Sequence, residues 1–213
     1  MPGVVGSLEK HTSLSLYFRY HVVKCFEGFC RSRDFFLGNY SPPFIEGNIT
    51  MGMTIEFYTA QQMDLVALFS AYQPGTHDEH FYDQLETYPV ADFSFHLYIP
   101  EDMDSLCQTV RRYQPTIPAV FRELLVEQVW YDGSVESLTL VARDFAEAMA
   151  QLDEHELETV AAEWAAPFEY DEPLHQTPGY KALLQLREVA RDVVTRNRSL
   201  LFYLEGNPAF FRW

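Results

Sequence analysis

The chain has 213 residues, 47% apolar and 15% aromatic, enough to build the core of one globular domain. A formal net charge of -16 and an isoelectric point near 4.7 argue against a nucleic-acid binder, which needs Lys and Arg to neutralise phosphates, and against an anionic membrane surface. Three cysteines, Cys25, Cys30 and Cys107, are too few for a disulfide scaffold, and the most apolar early stretch is broken by Arg19 and His21, so neither a secretory signal nor a membrane span is expected and the cytoplasm is the default compartment.

The charge is unevenly spread. Residues 1–52 carry five basic and four acidic side chains, whereas the remaining 161 residues carry ten and 27, a net of -17. The junction "GNYSPPFIEGN" is dense in Gly, Asn and Pro, which favours turns over a regular element. Residues 51–213 are therefore read as an acidic folded domain. Residues 1–50 are read as a poorly ordered N-terminal arm or as sequence upstream of the natural start.

From Met53, "MTIEFYT" has the β-branched and aromatic content of a strand, and Thr59 three residues before Gln62 predicts a capping box that opens a helix buried through Leu65, Leu68, Phe69 and Tyr72. A second helix carries Phe81, Leu85 and Tyr88 and is stopped by Pro89. "DFSFHLYI" alternates apolar and polar residues as a half-buried strand does. Pro100 opens a helix with the stripe Met103, Leu106, Cys107, Val110 and Tyr113, and a further helix is expected from Thr116 and Pro118 through Phe121, Leu124, Leu125 and Val129.

"YDGS" is a turn, and "ESLTLV" a strand running straight into a helix with Val141, Phe145, Ala148, Met149 and Leu152 inward. Asp153 and Glu156 make a capping box for a helix buried through Leu157, Val160, Ala161 and Trp164, and Thr177 with Pro178 opens a long helix before the final strand "SLLFYLE". Four strands and six or seven helices in mixed order predict an α+β domain, a mixed sheet of about four strands covered by helices.

The chemistry-bearing residues are sparse. His77, His80 and Asp83 fall on one helical face, which gives an alternative reading as a metal-assisted hydrolase, although the spacing does not match the zincin pattern. His96 and His155 have no identifiable nucleophile or orienting partner, Cys107 lies on an inward stripe, and no phosphate loop, nucleophile elbow or paired Cys motif occurs, so no catalytic residue, metal or cofactor is assigned. The loop "FEYDEPLH" places Glu169, Asp171 and Glu172 among aromatics, and Phe210, Phe211 and Trp213 follow a Gly-Asn-Pro break. These six are the expected partner-binding residues.

"MGMT" with its strand and helix, "VESLTLVARDFAEAMAQLDEHEL" and the closing helix into "SLLFYLE" resemble the YfbM-like family of uncharacterised bacterial proteins. That resemblance implies Met51 as the natural start and carries no catalytic residues. The function expected from the charge is that of a small acidic binding protein engaging a basic protein partner, as bacterial immunity proteins do.

Overall fold

A computed structural model describes residues 54–72, 79–95, 101–133, 135–168 and 171–206. The expectations for residues 1–50 lie outside these. The described residues fall in one compact unit built on a five-stranded sheet of order β2-β1-β5-β4-β3. The strands are β1 (Thr54–Ala60), β2 (Val90–Asp92), β3 (Leu125–Tyr131), β4 (Glu136–Val141) and β5 (Ser199–Glu205). The helices are α1 (Gln62–Ser70), α2 (Glu79–Leu85), α3 (Glu101–Val110), α4 (Arg143–Gln151), α5 (Glu154–Ala165) and α6 (Pro178–Arg196). The α+β class is the expected one. Five strands stand where about four were expected, and every ladder is antiparallel rather than mixed.

Alternation along the central strands divides the core into two layers. Ile55 and Phe57 of β1 and Leu200, Phe202 and Leu204 of β5 point to the face covered by α3 to α6, where Phe57 packs on Phe93 and Phe202 with ring centroids 5.3 and 5.2 Å apart. Tyr58, Ala60, Leu201 and Tyr203 point the other way, onto Leu65, Leu68 and Phe69 of α1 and Phe81 and Leu85 of α2. Trp164 of α5 is 1% exposed, and its Nε1 donates to the Asp102 carbonyl at 2.8 Å. An indole is seated deep in a core only when its N–H finds such an acceptor.

Local signals set several boundaries as expected. The Asp153 side chain accepts from Glu156 N while Glu156 accepts from Asp153 N, a complete capping box, and Thr177 caps α6 with Pro178 at its first turn. Asn197 in the left-handed region ends α6, and Gly133, φ +85°, turns β3 into β4.

Three readings are corrected. Thr59 does not cap α1, because it stays in β1 and its hydroxyl donates to Asp192 Oδ2 at 3.1 Å; the cap position is Gln61, without a side-chain bond. The helix expected after Thr116 is a single 3-10 turn, Phe121–Leu124, that becomes β3. The strand expected over "DFSFHLYI", residues 92–99, is displaced toward the N-terminus: β2 is Val90–Asp92, and residues 96–99 lie outside the described set.

Candidate functional site

The face under α1 and α2 ends in a row of polar side chains. Because β1 alternates, Thr54, Glu56 and Tyr58 share this face, and in register with them stand Glu205 and Tyr203 of β5, then Glu136 of β4. Thr54 is opposite Glu205, which is opposite Glu136; Glu56 is opposite Tyr203. The result is three carboxylates and two phenols at one end of the sheet.

Glu56 and Glu136 are only 3% and 2% exposed, whereas Glu205 is half-buried at the rim. The Tyr58 hydroxyl donates to Glu56 Oε2 at 2.6 Å, the Thr54 hydroxyl to Glu205 Oε2 at 3.1 Å, and the Tyr203 hydroxyl lies 3.5 Å from Glu136 Oε2. Burial, then the charges of Glu205, Glu136 and Glu56 and the nearby Tyr82, push the Tyr203 phenol far above the ordinary tyrosine range. Tyr203 therefore stays a neutral donor beside these carboxyl groups, of which Glu205 is the one that reaches the rim.

The chain around this row is rich in acids. From residue 54 to residue 86, through β1, α1 and α2, the sequence has six Asp or Glu and no Lys or Arg, and the β3–β4 hairpin, residues 125–141, has Glu127, Asp132 and Glu136 and again none, with Arg122 and Arg143 flanking it. The charged residues of α1 and α2 are Asp64, Glu79 and Asp83, with Glu86 just beyond. The basic residues of the described set are concentrated instead on the other layer, with Lys181, Arg187, Arg191 and Arg196 all on α6. The signal was available in the sequence as a glutamate inside each of three strand-like runs, "TIEFYTA", "ESLTLV" and "SLLFYLE".

Of the expected partner-binding residues, Asp171 and Glu172 are exposed, in the link between the 3-10 turns Ala166–Phe168 and Leu174–Gln176. That link is tethered by His175, whose Nε2 is 3.6 Å from Glu158 Oε1 and whose ring stands edge-on to Tyr180 at 4.8 Å. Glu169, Phe210, Phe211 and Trp213 lie outside the described residues, as do His77 and His96. His80 and Asp83 are exposed on α2, and His80 Nε2 is 2.7 Å from Gln84 Nε2.

Among the described residues no group of three His, Cys, Asp or Glu side chains is arranged to hold a metal ion. No described helix is long and apolar enough to cross a membrane. Cys107 is fully buried in the α3 stripe, where burial and then Asp104 push its thiol up to about 12, so it is unreactive at neutral pH. An open groove of about 330 Å³ between α4 and α6 is lined by Glu147, Ala150, Gln151, Arg191, Val194 and Thr195. Its charges are already used, since Arg191 pairs with Glu188 at 2.8 Å and Glu147 with Arg143 at 2.9 Å. Comparisons with protein-family models, with curated proteins and with solved structures gave no match.

Proposed function

We propose that this domain is an acidic binding protein that engages a cationic protein partner, in the manner of an immunity protein that neutralises a basic toxin. The observation that carries the reading is the one-sidedness of the charge: α1 and α2 contribute carboxylates and no Lys or Arg, and they lie over the sheet face that ends in Glu56, Glu136 and Glu205. A field of one sign over one face raises the encounter rate with a partner of opposite sign and orients it.

The experiment is calorimetric titration with a basic protein encoded by a neighbouring gene, at low salt and again at about 0.15 M, where the Debye length has fallen to about 8 Å. Binding that weakens as salt rises, and is lost when Asp64, Asp83 and Glu86 are changed together to Lys, supports the reading. Salt-insensitive binding, or binding that survives the charge reversal, overturns it. Metal analysis of untagged protein tests the rival class directly: near-stoichiometric zinc or manganese would instead favour a metal-assisted hydrolase using His77, His80 and Asp83.

A further inference from the structure

The two edges of the sheet are finished differently. At β2 the outward Asp92 N–H donates to Gln185 Oε1 of α6 at 3.2 Å, so a helix side chain seals that edge. At β3 no described strand lies beyond. Val126 is 63% exposed there, and Glu127 and Gln128 beside it are exposed too. An edge strand presents a row of backbone donors and acceptors that an extended chain can join.

We propose that the outer edge of β3 takes up a short extended segment of the cationic partner as a sixth strand. This deepens the binding function proposed above and rests on it. Charge selects the occupant: the hairpin of β3 and β4 carries three acids and no base, so a strand with Lys or Arg on its Glu127 side forms favourable cross-strand pairs. A second copy of this chain is disfavoured, because each copy brings a net charge of -16 to the same edge. The two register shifts, between Leu125 and Glu127 and between Gln128 and Trp130, add local twist. A twisted edge rejects long flat pairing and admits a short segment.

The test uses two synthetic peptides of equal charge, one alternating Lys and Val and the other identical but methylated at every backbone N–H, each titrated into the full chain. The unmethylated peptide is expected to bind about tenfold more tightly, to slow hydrogen exchange of amides within residues 125–131, and to lose about tenfold in affinity to Glu127→Lys with the melting temperature unchanged. Equal affinities, or protection confined to other residues, overturn the strand addition while leaving charge-driven binding intact. Failure of both peptides to bind at low salt overturns it together with the function on which it rests.

Discussion

Glu136 and Glu205 stand directly opposite each other across β4 and β5, and both charges bear on the buried phenol of Tyr203. Like charges in direct cross-strand register destabilise a ladder, so this position gains from any positive charge brought to its rim. Glu205→Gln removes half of the opposition while keeping an acceptor for the Thr54 hydroxyl. Its expected effect is a rise in stability of up to about 1 kcal/mol at neutral pH, read from urea unfolding; a clear loss would show that the charge of Glu205 is already compensated.

Tyr58→Phe probes the buried end of the same row. The ring stays, and Glu56 loses a donor at 2.6 Å in a site where it is 3% exposed. The expected cost is about 1 to 3 kcal/mol. An unchanged melting temperature would mean that this hydrogen bond adds nothing to the fold.

Stability should fall on the alkaline side. Tyr203 and Cys107 both have folded-state pKa values raised above their unfolded ones, chiefly by burial. Their contributions are present in full below the unfolded values, and as pH rises past these the unfolded chain releases protons that the folded chain still holds. Each group then lowers stability by at most about 1.4 kcal/mol per pH unit. For Cys107 the loss begins near pH 9 and is complete near its folded value of about 12; for Tyr203 it begins near pH 10. Cys107→Val and Tyr203→Phe should each flatten the decline measured by denaturant midpoints between about pH 9 and pH 11.

Trp164 fills the space between α5 and Phe93, whose ring centroid is 5.8 Å away. Truncation to Ala should cost about 3 to 5 kcal/mol, whereas Phe should recover most of the packing and lose only the hydrogen bond from the indole to the Asp102 carbonyl. Equal stability of the two variants would place the indole outside the cooperative core.

At Gly133 an added Cβ meets no atom within 4 Å, yet the backbone is at φ +85°. Gly133→Ala should therefore cost about 1 to 2 kcal/mol through conformation alone. Gly179→Ala is the opposite case, with an ordinary helical backbone but a Cβ 3.3 Å from that of Ala165. Comparing the two melting temperatures separates backbone strain from crowding.

The cap at Asp153 was legible because it is a contract between residues three apart, that at Thr177 because Pro178 follows it, and β1, β4 and β5 because their apolar runs are short and bounded. The helix expected at β3 rests on Phe121, Leu124, Leu125 and Val129, of which the first two belong to the 3-10 turn and the last is the residue that the second bulge inserts. Each bulge inserts one residue, so Leu125, Gln128 and Tyr131 come to pair on one face with Val141, Thr139 and Ser137, a spacing of three in place of two. A twice-bulged strand thus imitates helical periodicity, and only its pairing with β4 distinguishes them. The Glu56, Glu136 and Glu205 row was hidden for a different reason. Each glutamate is unremarkable in its own strand, and the three meet only through register across 149 residues of sequence, from Glu56 to Glu205.

The pairing of β1 with β5 runs through seven rungs, Thr54 with Glu205 to Ala60 with Ser199, in the middle of the sheet. On the ribosome β1 must wait for β5. Until residues 199–205 emerge, the β1–β2 ribbon and the β3–β4 hairpin have no strand between them, and the layer of α1 and α2 has only half a floor. Such long-range closure slows folding, so the nascent chain lacks a strand to cover Phe57, Tyr58 and Leu138 until β5 emerges. The same layout offers a place to cut. A fragment ending before β5 and a peptide carrying β5 would be complementary halves, with the keystone strand supplied in trans.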